Sequence, residues 1–434
     1  MERKHEGRPS AVVHPEWSKN AVIYEVNIRQ YTPEGTFAAF EKHLPRLKEM
    51  GIGILWLMPV NPIGVQNRKG SLGSYYSIKD YLGVNPEFGT LNDLKRLVNK
   101  AHELGMKVII DWVADHSSWD NSLVTEHPEW YQHDSTGKIK SPVPDWTDVA
   151  GLDYKQPGIC DYMTNALIYW VKNADVDGFR CDVAAMLPVG FWNDAIPKVQ
   201  NVKHVFMLAE AEAPEMHDTA FDMTYSWDLY HLLNDIAKGK ATADKIDSLW
   251  VKEASLYPAD AYRMHFTSNH DENSWNGTEY ERLGNATLTM AALTFTVPGM
   301  PLIYCGQEAA LKKRLRFFDK DTINWDNYKV EKFYSTLIDL KKNNKALWNG
   351  DIGGKLIKVH TDIDKEVYAF IREKFDQKVL CIFNLTPDFV TARLQGTDFS
   401  GHYKDIFRMS NVDLKDGTPV NLNAWEYLIL EKNK

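Results

Sequence analysis

The sequence predicts an α/β protein: a (β/α)8 TIM barrel with a short insertion after its third strand and a C-terminal all-β domain. Three observations carry this. Eight short apolar runs alternate with segments of helical periodicity between Ala21 and Lys342, the rhythm of a parallel sheet buried on both faces. That rhythm breaks once, between Ser117 and Gly158. It stops at Gly350, after which β-branched and aromatic runs are separated by Asp, Gly and Pro. The expected division is barrel over residues 1–116 and 159–349, insertion over 117–158 and a C-terminal β-sandwich over 350–434.

The elements follow in order. Residues 21–28 (AVIYEVNI) are rich in strand formers. Residues 36–50 place Phe37, Phe40, Leu44, Leu47 and Met50 on one helical face, and Gly51 follows as a stop. Residues 52–60 (IGILWLMPV) form a continuous apolar run closed by Asn61-Pro62, a strand buried on both sides. A helix is expected over 91–104 with Gly105 at its end. Strand three is 107–113 (KVIIDWV), running into Ala114, Asp115 and His116. The insertion holds Trp119, Trp130 and Trp146 and few periodic apolar residues, so it reads as an irregular subdomain. A helix over 161–173 leads to strand four at 176–183; strands five to eight are expected at 204–210, 220–225, 262–268 and 300–304. Helices at 283–296 and 330–342 complete the barrel, and runs at 355–360, 366–372, 378–384 and 425–430 are strands of the last domain.

Composition narrows the function. The 434 residues are 44% hydrophobic and 25% charged, ordinary for a globular chain. The net charge of −9 without a basic run argues against a nucleic-acid partner. No apolar run reaches membrane-spanning length. Met1 to Ser10 is charged and has no apolar stretch, so no signal peptide is visible. The cytoplasm is the expected compartment, with the periplasm or secretion the alternative if a signal was removed. Oligomeric state is not legible. The four cysteines lack CxxC spacing, and Cys181 and Cys305 lie in apolar runs as buried thiols. Aromatics are 12% of the chain, with 14 Trp, which suits stacking on sugar rings.

Strand four carries the sharpest chemical signal. It ends Gly178-Phe-Arg-Cys-Asp182, and strand alternation points Arg180 and Asp182 to one face. A buried Arg and Asp either pair structurally or serve a site in which Arg holds a nucleophilic carboxylate ionised. This stretch alone supports both equally. Asp111, Asp115 and His116 follow strand three, Glu210 ends strand five, and His270 and Asp271 follow strand seven. Active sites of such barrels form at the C-terminal ends of the strands, so these acids are expected to converge. Two carboxyls about 5–5.5 Å apart would mark a retaining glycosidase.

In these motifs the chain resembles the α-amylase family of glycoside hydrolases, from about Trp17 onward. The resemblance rests on an ordered set: residues 111–116 (DWVADH), 178–182 (GFRCD), 208–210 (LAE) and 268–271 (SNHD), with a weaker match at 151–154 (GLDY). Tyr76 and Asp80-Tyr81, ahead of Phe88-Gly-Thr90, resemble the family's tyrosine segment after strand two. The resemblance implies Asp182 as nucleophile, Glu210 as acid/base with a raised pKa, and Asp271 as the third carboxylate. It implies Arg180 beside the nucleophile, His116 and His270 on the reacting sugar, and Tyr76 stacked beneath it. It further implies hydrolysis of α-1,4 bonds in maltooligosaccharides or related α-glucans by double displacement. A transglycosylase or an α-1,6-acting relative is the alternative, because Val183 after the nucleophile also occurs in relatives that cut α-1,6 bonds. A non-catalytic binding subunit is disfavoured, since all three acids are present. No cofactor is expected for catalysis. Asp115 and Asp153 could supply oxygen ligands to a structural calcium, although Asp115 stands where many relatives have Asn, and Gly151 and Asp153 where they have Asn and Asp. Ala185-Met186 replaces the Lys-His pair that serves leaving-side sugars, and with the short insertion and the single small domain at the end it implies short soluble substrates. Trp112, Trp119, Trp146 and Trp275 are candidates to stack on sugars or to pack the core.

Overall fold

The computed structural model describes residues 10–325 and 327–432; the charged start of the chain lies outside them. Eight strands close a parallel barrel in chain order. They are β1 Ile23–Val26, β2 Ile54–Leu57, β3 Lys107–Trp112, β4 Gly178–Cys181, β5 Phe206–Ala209, β6 Met223–Tyr225, β7 Tyr262–His265 and β8 Met300–Tyr304. Each falls within its expected run, trimmed at the ends, and β8 matches residue for residue.

Alternation along the strands sorts the side chains into two cores. Ile23, Ile54, Trp56, Ile109, Phe206 and Leu208 point inward and fill the barrel. Tyr24, Leu55, Val108, Phe179 and Met207 point outward and pack under the helices. The inward phase continues upward into polar residues: Glu25, Asp111, Arg180 and, just past the strands, Asp182 and Glu210. Two backbone bonds extend the ladder to those last residues, Asp182 N–H to Trp112 O at 2.9 Å and Glu210 N–H to Cys181 O at 3.0 Å.

The helix expected over 36–50 is two helices, Phe37–Glu41 and Leu44–Met50. Thr36 caps the first by accepting from Ala39 N–H. Pro45 lacks the N–H that would continue the first helix, but it fits the opening turn of a second. The periodic face survives the break: Phe37, Phe40, Leu44, Leu47 and Met50 are all buried. The helix expected over 283–296 likewise divides, into Glu279–Leu283, a 3-10 turn at Gly284–Ala286, and Thr287–Thr296.

The insertion is pinned by a short antiparallel ladder, His116–Ser118 against Val149–Gly151. His116 therefore already belongs to this ladder, and the returning helix begins at Pro157. The C-terminal domain has eight strands: β9 Lys355–Thr361, β10 Val367–Lys374, β11 Gln377–Asn384, β12 Val390–Gln395, β13 Gly401–Asp405, β14 Asn411–Leu414, β15 Pro419–Leu422 and β16 Tyr427–Lys432. The expected sandwich is one continuous antiparallel order, β14-β13-β16-β11-β10-β9-β12-β15. β9 makes the join, pairing with β10 through residues 355–359 and with β12 through 360–361. β10 shows why this domain sits on the barrel. Val367, Ala369 and Ile371 enter the domain's own core, while Tyr368 and Phe370 enter the cluster that continues into the barrel's outer layer.

Candidate active site

The top of the barrel carries a cavity of about 800 Å³ lined by Tyr76, His116, Asp182, Glu210, His270 and Asp271, among others. Six of the seven sequence-identified residues thus meet on one surface. The seventh, Arg180, lies beneath it, with a fully buried side chain.

Arg180 organises the floor. Its Nη1 donates to Asp111 Oδ1 at 2.9 Å and to Asp182 Oδ1 at 2.8 Å. Its Nη2 stands 2.8 Å from Glu210 Oε2, and Nε donates to Tyr225 Oη at 3.1 Å. Asp111 is directly opposite Arg180 in the β3–β4 ladder. So the structural ion pair and the functional pair, alternatives in the sequence, share one guanidinium. Trp56 covers it with its ring, 5.0 Å from the guanidinium carbon.

A second chain of bonds enters from β1. Glu25 Oε1 is 2.5 Å from His270 Nδ1. His270 Nε2 is 2.8 Å from Tyr76 Oη, which donates to Asp111 Oδ2 at 3.0 Å; Trp56 Nε1 donates to the same oxygen at 3.1 Å. Asp271 Oδ2 is 3.3 Å from His270 Nε2. His116 is held by Asp115, with Oδ2 3.1 Å from Nδ1, and meets the edge of Trp146.

The electrostatics separate the acids. Burial pushes the Glu210 carboxyl up to about 7; Arg180 opposes this, and the charges of Asp182 and Asp271 add to it. Burial also moves Asp182 and Asp111 upward, with Arg180 pulling both back. Arg180 thus acts in the expected direction on Asp182, favouring the anion, against a larger desolvation effect. Burial acts most strongly and would raise Asp271 too, but the charge and hydrogen bond of His270, with Arg180 and Trp275, together outweigh it and hold the carboxyl below its ordinary range. For His270 burial opposes charge, yet Asp271 and Glu25 keep it well above the usual histidine value.

Val183 joins the acids mechanically. It sits in the left-handed region at φ 38°, ψ 42°, where a β-branched side chain is strained by roughly 1–3 kcal/mol. That turn aims its N–H at Glu210 Oε2, 2.8 Å away.

Several contributors went unread in the sequence. Glu25 interrupts an apolar run in its inward phase, which was a usable signal. Phe317 and Phe318 come from the loop after β8, and Phe317 lies nearly parallel to Tyr76, interplanar angle 16°. Lys69 and Asp148 line the rim, and nothing in their local sequence marks them. Of the tryptophans, Trp146 and Trp275 line the cavity. Trp112 is buried between Tyr81 and Phe179, and Trp119 donates to Thr147 O within the insertion. Asp153 lies away from the cavity; its Oδ1 accepts from Lys155 N–H. Among the described residues no three His, Cys, Asp or Glu side chains gather as metal ligands. Asp115 turns one carboxylate oxygen to His116, and the other oxygen of each of Asp115 and Asp153 is not engaged by these bonds.

The family model for the alpha amylase catalytic domain matches residues 18–149 and 143–349, and that for the alpha amylase C-terminal all-beta domain matches 358–425. The chain belongs to the α-amylase family of glycoside hydrolases. Two solved structures of the family are similar throughout. A noncanonic maltogenic alpha-amylase from Thermotoga neapolitana is 34% identical with a TM-score of 0.88, covering 96% of this chain and 100% of that one. An alpha-amylase from Lactobacillus plantarum is 32% identical with a TM-score of 0.86 at the same coverage. An alpha-amylase from Haloarcula japonica is 28% identical over 412 residues, 90% of this chain; the chain spans 60% of the length of that relative. Among the described residues no helix is long and apolar enough to cross a membrane.

Proposed function

We propose that this protein is a retaining α-glycoside hydrolase that cleaves α-1,4-glucosidic bonds in short maltooligosaccharides. The observation that carries the reading is geometric: two carboxyls, Asp182 and Glu210, share one guanidinium at the mouth of the barrel and both face the cavity. Glu210, pushed to about 7, keeps a proton to give. Asp182, hydrogen-bonded to Arg180 and flanked by His116, is stabilised as the anion once its proton is lost. Asp182 attacks the anomeric carbon while Glu210 protonates the glycosidic oxygen, and the leaving sugar departs. Glu210, now ionised, takes a proton from water, and the resulting hydroxide opens the glycosyl ester at Asp182. Asp271 and the charged His270 grip the ring hydroxyls of the reacting sugar, and Tyr76 supplies an apolar face beneath it. Maltogenic and alpha-amylase activities named for the relatives support this substrate class.

Transfer to an acceptor sugar is a second reading, favoured by one feature. The turn after Asp182 exposes Ala185 and Met186, an apolar surface where a sugar ring can compete with water. The test is to trap the intermediate with a fluorinated glycosyl fluoride and follow products by proton NMR. Label on Asp182 and an α-anomer as first product are expected. Label elsewhere, or a β-anomer at the outset, overturns the double displacement. Products longer than the substrate favour transfer.

A further inference from the structure

The rim of the cavity is bridged. Lys69, in the loop after β2, places Nζ 3.1 Å from Asp148 Oδ1 and donates to Asp145 O at 2.9 Å, both in the insertion. The same ammonium lies 5.9 Å from the centre of the Phe318 ring, in the loop after β8. The backbone around Lys69 is fastened. Ser71 N–H and Oγ donate to Asp319 Oδ1 at 2.8 and 2.6 Å, and Leu72 N–H donates to Phe318 O at 2.9 Å. Gly70 turns at φ 63° against Phe318, where a Cβ would meet that side chain at 2.5 Å. Asp148 is buried, and Ser77 Oγ donates to its carbonyl at 3.1 Å.

The bridge belongs to one side of the site. Trp146, between Asp145 and Asp148 in the chain, packs on His116, and Phe317, beside Phe318, lies parallel to Tyr76. His116 and Tyr76 are the residues given to the reacting sugar. The contacts of Lys69 do not include Glu210, to which the proposed function gives the leaving-group oxygen.

We propose that Lys69 is a specificity-determining residue whose ammonium closes the cleft beyond the reacting sugar, on the side away from the leaving group. A glucan then enters end-first, and short units leave from its non-reducing end. This rests on the hydrolase reading above. A ring stacked along Phe317 and Phe318 meets the Lys69–Asp148 pair, which must part before a longer chain can run through. Because Lys69 is partly exposed, the pair is weakened by salt.

The test compares a maltoheptaoside with a free non-reducing end to one blocked at its terminal O4 and O6. Wild-type enzyme is expected to cut the blocked substrate about tenfold more slowly or worse. Lys69→Ala narrows that ratio by about fivefold, Lys69→Arg preserves it, and 0.5 M salt narrows it partly. Asp148→Asn breaks the same pair from its other end and serves if Lys69→Ala does not fold. A merely structural role lowers both rates together and leaves the ratio unchanged, which overturns the proposal. So does wild-type enzyme that cuts both substrates equally. No turnover of the unblocked substrate by wild type overturns the hydrolase reading itself, and this inference with it.

Discussion

Glu210→Gln should stabilise the protein as it abolishes turnover, and the gain should depend on pH. In the folded protein burial moves the Glu210 carboxyl from its ordinary 4.5 to about 7. At 1.36 kcal/mol per unit this disfavours the native anion by about 3 kcal/mol. The unfolded chain releases that proton near the ordinary value. Between the two values the native state binds more protons than the unfolded state, so unfolding free energy falls as pH rises through the window. Gln is neutral throughout and keeps an oxygen to accept from Val183 N–H. The variant should therefore gain about 2–3 kcal/mol on the wild type between pH 5 and pH 8. Urea unfolding of both proteins at the two pH values measures it, since the difference cancels the titration of the rest of the chain. An equal difference at pH 5 and pH 8 would show that burial does not set this acidity, and the acid role would lose its physical ground.

Activity should follow the same group. kcat/KM is expected to fall as pH rises through about 7, because deprotonated Glu210 has no proton to give; a profile flat to pH 9 contradicts this. Asp182→Asn should cost about three orders of magnitude or more in kcat with an unchanged circular dichroism spectrum, and near-normal turnover would remove it as nucleophile. Arg29 donates to Gly73 O and Leu72 O at 3.0 and 3.2 Å and stacks on Tyr75, holding the loop that carries Tyr76. Arg29→Met should raise KM on maltotriose by about tenfold, from the loss of two charge-assisted hydrogen bonds; an unchanged KM refutes the positioning role. Chelation should leave activity intact, because the acting carboxylates are held by Arg180, His270 and Val183 N–H. Loss of activity from a protein that stays folded would require a metal in the site.

The barrel was legible because its strands are buried on both faces, so apolar runs mark them directly. The same logic explains where reading failed. β12 to β15 each expose alternate residues, as in Val390–Gln395, where Ala392 and Leu394 are buried and their neighbours are not. That halves their apolar content, and all four escaped notice. Pro45 stood in plain view inside the 36–50 segment, but the periodic face ran through it without interruption. In the site, alternation paired Arg180 with Asp182 and the motifs supplied the other strand-end residues, whereas Glu25, alone among apolar neighbours on β1, was passed over. Lys69, Phe317 and Phe318 were not found, because loops have no period, and what brings them together is contact between segments far apart in the chain.

The arrangement at the top of the barrel also explains how acids can be crowded there without unfolding it. Each buried carboxylate needs a partner, and breaking a buried pair leaves a charge stranded. Arg180 contacts three of them, Asp111, Asp182 and Glu210, with only Asp111 fully enclosed. His270 serves Glu25 and Asp271 in the same way. Asp111 and Glu25 are thus the inner acids that fix the two cations, and Asp182, Glu210 and Asp271 are the outer ones left facing the cavity. The cations are shared, so neutralisation of each outer acid is incomplete, and position decides its proton. Glu210, with an ion-pair contact and a single backbone donor, retains its proton to about 7, whereas Asp271 beside the charged His270 gives it up early. The inner layer supplies the structure and the outer layer the chemistry. Strand alternation, which stacks Asp182 directly above Arg180, is what keeps the two layers in register.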